Sequence, residues 1–147
     1  MAVRALRPTD LDVPRPIYVV WETTLRCDHA CAHCGSRAGP EPRDDELDTA
    51  ALLEVADSLI KLGTREVTLI GGEAYLRGDC YQLISYLQGG GIRVTMQTGG
   101  RGLTENRCRK LKEAGLAAIG VSVDGPPAVH DELRASPGSH AAALAGI

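Results

Sequence analysis

Short runs of apolar residues alternate along the chain with longer segments in which apolar residues recur every three or four positions. The runs have the length of buried strands, and the longer segments have the period of amphipathic helices. The predicted strands cover residues 17–21, 67–70, 92–96 and 118–123. The predicted helices cover residues 49–62, 79–88 and 104–114, and the opening of another begins at residue 139.

Polar residues and glycines mark the ends of the first and third predicted helices. Asp48 and Thr104 stand where an N-cap side chain accepts from the free N–H groups of a first turn. Gly63 and Gly115 follow the last helical residues, where a glycine commonly ends a helix. These residues set the predicted boundaries of both helices.

Alternation of strand and helix predicts an α/β fold of parallel βα units with right-handed crossovers. The carboxyl ends of parallel strands meet at one edge of the sheet, and ligands bind at that edge. Each predicted strand ends there in polar residues or glycines: Thr23-Thr24, Gly71-Gly72-Glu73, Thr98-Gly99-Gly100 and Asp124-Gly125. The sequence therefore places four separate segments around one predicted site.

Three closely spaced cysteines, Cys27, Cys31 and Cys34, follow the first predicted strand. Three thiolates on one loop can hold three corners of a cubane iron–sulfur cluster and leave the fourth iron open to a small molecule. The remaining cysteines, Cys80 and Cys108, fall in predicted helices and are interpreted as small buried apolar residues. A clustered, odd set of thiols indicates metal binding in a reducing compartment.

Two other metal sites are compatible with the same cysteines. A zinc site would need His29 or His33 as its fourth ligand, although zinc sites usually combine two Cys-x-x-Cys pairs. An electron-transfer cluster would need Cys80 or Cys108 as a fourth thiolate. Either site would make the chain a zinc- or cluster-stabilised binding module. His29 itself is expected to face solvent, and residues 43–46 are expected to form a solvated charged loop.

Composition and charge exclude several classes of protein. The chain has 147 residues and a formal net charge of −3, so it has no broad basic surface for nucleic acid. No apolar stretch approaches the roughly 18 residues of a membrane span, and the first residues lack the apolar core of a secretory signal. We therefore expect a cytoplasmic protein with neither a nucleic-acid nor a membrane partner.

The motifs together resemble the radical S-adenosylmethionine (SAM) superfamily. The spacing Cys27-x-x-x-Cys31-x-x-Cys34 is similar to that family's signature, and Gly71-Gly72-Glu73 resembles its second motif. Residues 121–125, followed by His130 and Arg134, resemble the branch of peptide-modifying maturases with an auxiliary-cluster (SPASM) domain. His33 stands where the family usually has an aromatic residue, and Ala74 where it commonly has proline.

The resemblance implies two cofactors and a set of residues that hold them. Cys27, Cys31 and Cys34 would ligate a [4Fe–4S] cluster whose open iron chelates the amino and carboxylate groups of SAM. Glu73 would meet the amino group, and Arg134 would pair with the carboxylate. The other implied SAM contacts are Gly71, Gly72, Thr98, Ser122 and Asp124. Without the resemblance, Thr98 could equally be a hydroxyl at the end of a strand, and Asp124 could be part of a turn. His130 and Arg134 could be a pair on the surface.

The resemblance also implies a reaction. The reduced cluster would cleave SAM to a 5′-deoxyadenosyl radical, which abstracts hydrogen from a substrate, here expected to be a peptide or protein. A reducing partner such as flavodoxin or ferredoxin would supply the electron. Residues 1–16 are expected to form an N-terminal extension, and residues 17–147 part of a radical SAM partial TIM barrel, truncated in the fourth unit. An inactive fragment is the remaining alternative.

Overall fold

The computed structural model describes residues 4–147; the first three residues of the predicted extension lie outside the described residues. Four strands form one parallel sheet in the order β1-β2-β3-β4. They are β1 (Tyr18–Glu22), β2 (Glu66–Ile70), β3 (Arg93–Thr98) and β4 (Ala118–Val121). The predicted parallel sheet is confirmed, and its carboxyl ends meet at one edge.

Five α-helices connect or follow the strands. They are α1 (Thr49–Lys61), α2 (Cys80–Gly89), α3 (Glu105–Glu113), α4 (Pro127–Leu133) and α5 (Ser139–Ala145). The predicted caps of α1 and α3 are confirmed, because Asp48 and Thr104 each accept a hydrogen bond from a backbone N–H of the first turn. Among the described residues, no helix is both long and apolar enough to cross a membrane.

The core lies between the sheet and helices α1–α3. Val67, Leu69, Val94 and Met96 of the two central strands are fully buried and alternate with polar residues that face the other way. They pack with apolar helix residues, among them Leu52, Ala56, Leu83, Ile84, Leu87 and Leu111. On the opposite face the hydroxyls of Thr68 and Thr95 are 2.8 Å apart.

The N-terminal segment packs against the amino ends of the strands. Arg4 donates to the buried carboxylate of Glu66 at 2.5 Å, and its guanidinium lies 4.0 Å from the centre of the Tyr18 ring. Arg93 reaches the other oxygen of Glu66 at 3.2 Å. The segment is thus held at the edge of the sheet opposite the candidate site.

The last βα unit differs from its prediction. β4 ends at Val121, two residues earlier than predicted, because its last partner, Thr98, is also the last residue of β3. The chain then bends through Gly125, whose φ of +141° lies in a region that favours glycine. The following Pro126-Pro127 then begins α4, where proline's fixed φ and missing N–H suit a first helical turn. His130 and Arg134 therefore lie on and just after a helix that covers the site.

The packing predicts that truncating a core residue of α1 destabilises the chain while truncating an exposed neighbour does not. Leu52 is 1% exposed, and Leu62, which follows α1, is 52% exposed. We expect Leu52→Ala to lower the free energy of unfolding by about 2–5 kcal/mol and Leu62→Ala by less than about 0.5 kcal/mol. Urea denaturation measures both, and equal losses would contradict the assigned core.

Candidate functional site

Three backbone hydrogen bonds shape the loop that carries the three cysteines. Near its start, the Cys27 N–H donates to the Gly39 carbonyl at 2.5 Å, and the Gly39 N–H donates to Leu25 at 3.0 Å. In its middle, the Ala32 N–H donates to the carbonyl of Leu133 in α4 at 2.8 Å. The first two bonds close residues 25–39, which we call the cysteine loop, on themselves, and the third ties this loop to α4.

A cavity of about 290 Å³ lies between the cysteine loop and the ends of β2, β3 and β4. It brings together every predicted site residue except Asp124. Those that line it are Cys27, Cys31, Cys34, Gly71, Gly72, Glu73, Thr98, Ser122 and Arg134. The Asp124 carboxylate contacts two residues that do line it: it accepts from Arg134 at 2.6 Å and lies 3.8 Å from Nε2 of His33.

Gly71 and Gly72 join β2 to the cysteine loop. The N–H groups of Gly72 and Glu73 donate to the carbonyls of Thr24 and Arg26, both at 2.8 Å. A Cβ on Gly71 would overlap the Thr24 carbonyl, and one on Gly72 would overlap the Arg26 carbonyl. The two glycines therefore allow β2 to approach the backbone of Thr24 and Arg26 closely.

Glu73 is the buried carboxyl group of the cavity, with only 1% of its surface exposed. It accepts hydrogen bonds from the Thr98 hydroxyl at 2.5 Å and from the Gly99 N–H at 2.7 Å. Burial raises the pKa of Glu73 to about 7 although both hydrogen bonds oppose that shift. A cation beside this carboxyl would favour its ionised form.

Arg134 is held in the cavity by a chain of contacts. Its Nε donates to the carboxylate of Asp124 at 2.6 Å, and this hydrogen bond is the main cause that lowers the pKa of Asp124. The Asp124 N–H donates to Nδ1 of His130 at 3.1 Å, and His130 is fully buried. The interpretation of His130 and Arg134 as a surface pair is therefore wrong: both are buried, and Arg134 faces the thiol of Cys31.

The thiols supply a donor set that fits a cluster with one open position. Burial raises the pKa of Cys27 to about 11 and also raises the pKa of Cys31, so both thiols need a nearby positive charge to ionise. Cys80 is buried in the core and Cys108 packs against it, so neither lines the cavity. The described residues thus offer no fourth thiol to an electron-transfer cluster. His29 and His33, the candidate fourth ligands of a zinc site, both line the cavity.

His29 does not face solvent as expected: the residue is only 5% exposed, and neither ring nitrogen has a hydrogen-bond partner within residues 4–147. Burial also lowers the pKa of His29. Its Nε2 is 3.9 Å from Asp28 Oδ1. The sequence carried one unused signal for this burial, namely the first glycine after Thr98, because Gly99 leaves room for the ring.

The charged run at residues 43–46 was expected to be solvated, and this is wrong for Glu46. Its carboxylate accepts from the Thr24 hydroxyl at 2.7 Å and the Leu25 N–H at 2.8 Å, and Arg77 contacts it at 3.3 Å. A groove of about 580 Å³ opens beside these residues. Since Arg77 is already paired with Glu46 and Asp79, the cysteine cavity remains the better candidate site.

The raised pKa of Glu73 predicts a pH-dependent difference in stability between the metal-free chain and its Glu73→Gln variant. Below pH 4.5, the ordinary pKa of the group, Glu73 is protonated in both the folded and the unfolded chain and does not lower the stability. As the pH rises from there to about 7, the unfolded chain releases this proton while the folded chain keeps it, so the free energy of unfolding falls. Over that window we expect the unmodified chain to lose roughly 2–4 kcal/mol relative to the variant. Urea denaturation at several pH values measures the difference, and a constant difference would contradict the burial of an ionisable Glu73.

Comparisons with known proteins agree with this geometry. The chain is 35% identical over 130 residues to an AdoMet-dependent heme synthase of Oleidesulfovibrio alaskensis, covering 88% of this chain and 34% of that protein. It is 33% identical over 121 residues to the mycofactocin maturase MftC of Mycolicibacterium smegmatis, covering 81% and 30%. The chain spans about a third of the length of these relatives.

A similar fold is found in the crystal structure of Streptococcus suis SuiB bound to S-adenosylmethionine. The TM-score is 0.72 at 16% identity, and the match covers 86% of this chain and 30% of SuiB. The sequence profile of the Radical SAM superfamily matches residues 21–147. The chain therefore belongs to the radical SAM superfamily, a family of enzymes that use a [4Fe–4S] cluster and SAM, and its four βα units form part of that family's partial TIM barrel.

Proposed function

We propose that this chain holds a [4Fe–4S] cluster through Cys27, Cys31 and Cys34 and binds SAM in the adjoining cavity for reductive cleavage. One observation carries the proposal: the three loop thiols line the same cavity as the buried Glu73 and Arg134. Thiols are ligands for iron, while a carboxylate and a guanidinium complement the ammonium and carboxylate of an amino acid.

The contacts of each residue define its proposed role. Glu73 accepts from the amino group of SAM, and Thr98 orients Glu73, since its hydroxyl already donates to that carboxylate. Arg134 offers the N–H groups left free by Asp124 to the SAM carboxylate, so Asp124 acts by holding Arg134. Ser122, Gly71 and Gly72 form the wall of the cavity.

The cofactors carry the difficult chemistry, and the protein positions them. Cys27, Cys31 and Cys34 would hold the [4Fe–4S] cluster, which in its reduced form would supply the single electron for cleaving SAM and so for radical chemistry on the substrate. The residues of this chain fix the amino-acid end of SAM and exclude water from the cavity floor. The electron would come from a reducing partner of the flavodoxin or ferredoxin class.

A peptide or protein is the proposed substrate. Support comes from the 33% identity to the mycofactocin maturase and from a further relative named PqqA peptide cyclase, from Methylocella silvestris. A tetrapyrrole is the second candidate, because two AdoMet-dependent heme synthases and an Fe-coproporphyrin III synthase match at 33–35% identity.

Spectroscopy of the reconstituted chain tests cluster and SAM binding together. After anaerobic loading with iron and sulfide and reduction, we expect a [4Fe–4S] electron paramagnetic resonance signal whose shape changes when SAM is added. Cys31→Ser should lose the signal, whereas Cys108→Ser should keep it, since Cys108 lies outside the cavity. A signal indifferent to SAM would overturn the SAM site, and one bound zinc in place of iron would favour the binding module.

The contact between Gly72 and the cysteine loop predicts a substitution that impairs cluster loading. A Cβ on Gly72 would lie 2.7 Å from that of Cys27 and overlap the Arg26 carbonyl, so Gly72→Ala should displace the loop. We expect iron and sulfide content after reconstitution to fall several-fold. Gly78→Ala is the matched control, because nothing lies within 4 Å of its Cβ position. Equal iron content in the two variants would contradict the role of this contact.

A further inference from the structure

A single fixed positive charge lines the cavity. Of the cavity-lining residues in the described part of the chain, Arg134 is the only arginine or lysine. Only 9% of its surface is exposed, so water and salt screen its charge less than that of a surface arginine. Its Nε donates to Asp124 at 2.6 Å, which holds the guanidinium in the cavity. Any negative charge on the thiols therefore shares the cavity with one fixed guanidinium.

The backbone brings Arg134 next to one particular thiol. The Ala32 N–H donates to the Leu133 carbonyl at 2.8 Å, so the residue after Cys31 is joined directly to the residue before Arg134. Burial raises the pKa of Cys31, and the facing guanidinium of Arg134 is the strongest influence that lowers it. Cys31 is thus the thiol on which the charge of Arg134 acts.

The other two thiols have donors of a different kind. Sγ of Cys27 accepts from the backbone N–H two residues later at 3.4 Å, and Sγ of Cys34 accepts from the N–H four residues later at 3.3 Å. Both of these donors are neutral and belong to the cysteine loop itself. The N–H groups of Arg134 are charged, and hydrogen bonds from charged donors are roughly twice as strong as neutral ones. Cys31 therefore faces a stronger donor than either of the other two ligands.

A cluster held by these thiols would respond to this arrangement. Net charge and hydrogen bonds to the cysteine sulfurs are among the factors that set the reduction potential of an iron–sulfur cluster. Reduction adds one electron, and therefore one negative charge, so a positive N–H donor stabilises the reduced cluster more than the oxidised one. We propose that Arg134, through Cys31, raises the reduction potential of the cluster and so favours its reduction by the electron donor, an inference that rests on the proposed function.

This role is separate from the proposed contact between Arg134 and the SAM carboxylate. A guanidinium has five N–H donors, and the Nε–H is the one that serves Asp124. The remaining donors suffice for one sulfur and one carboxylate at the same time. The effect on the potential is therefore present without SAM, and SAM-free protein is the sample in which to measure it.

An anaerobic redox titration of the SAM-free, cluster-loaded chain tests the effect of Arg134. The resonance signal of the reduced cluster, followed over a series of solution potentials, gives the midpoint potential. We expect Arg134→Gln to lower the equilibrium constant for reduction about tenfold, the effect of one hydrogen bond to a charged group, which lowers the midpoint by about 59 mV for one electron. Arg134→Lys should recover part of this loss, because it keeps the charge without the planar guanidinium.

Arg101→Gln is the matched control. Arg101 is exposed and donates to the Asp28 carbonyl at 2.6 Å, so it carries the same charge beside the cysteine loop without lining the cavity. We expect this variant to change the midpoint much less than Arg134→Gln does. Equal changes in the two variants would show that the potential follows net charge alone, and they would overturn the proposal. An unchanged midpoint in Arg134→Gln would overturn it as well.

Iron content and SAM binding separate this inference from the proposed function. If the unmodified chain loads a cluster that does not bind SAM, the proposed SAM site fails, while a lowered midpoint in Arg134→Gln still supports the inference. If the chain binds SAM and the midpoint of Arg134→Gln is unchanged, only the inference is wrong. If the unmodified chain loads a cluster and neither Arg134→Gln nor Arg134→Lys does, Arg134 assembles the site instead of setting its potential, which also overturns the proposal.

Discussion

Two backbone hydrogen bonds, from the N–H groups of Gly72 and Glu73 to the carbonyls of Thr24 and Arg26, determine how the rest of the site is arranged. They fix the cysteine loop against the end of β2 and at the same time aim the Glu73 side chain into the cavity. Both bonds need a close approach of two backbones, which Gly71 and Gly72 permit because they have no Cβ. This one contact therefore positions both the Glu73 carboxyl group and the loop that carries the three thiols.

Around this contact, most buried polar groups are hydrogen-bonded to other groups of the protein. Thr98 and the Gly99 N–H hold Glu73, while Asp124 and His130 hold Arg134. Such support limits the rotamers of the side chains that face the cavity and keeps them in place before any ligand arrives. Among the described residues, the ring nitrogens of His29, Oδ1 of Asp28 and Nε2 of His130 are buried without such a partner.

Much of this arrangement followed from the sequence. The period of apolar residues predicted all four strands and helices α1–α3, because a sheet packed against helices leaves a strong pattern. Nine of the ten predicted site residues line the cavity, but Gly35, Ser36, Ala38, Ile70 and Gln97 line it as well and were not predicted. The burial of His29 and His130 and the hydrogen bonds of Glu46 did not follow from the sequence, since each depends on a partner distant in sequence or on a missing Cβ across the cavity. The end of β4 was also misplaced, because the apolar run continues to Val123 beyond the last paired residue.

The hydrogen bond from Ala32 to Leu133 has a consequence for the order in which the molecule folds. It joins the loop after the first strand to the helix after the last, so it forms only when all four βα units are in place. Contacts between such distant residues are slow to form and carry a large loop-closure entropy. The cavity is therefore assembled late in folding, and the Ala32–Leu133 closure is where local opening of the native structure would expose the thiols without unfolding the core.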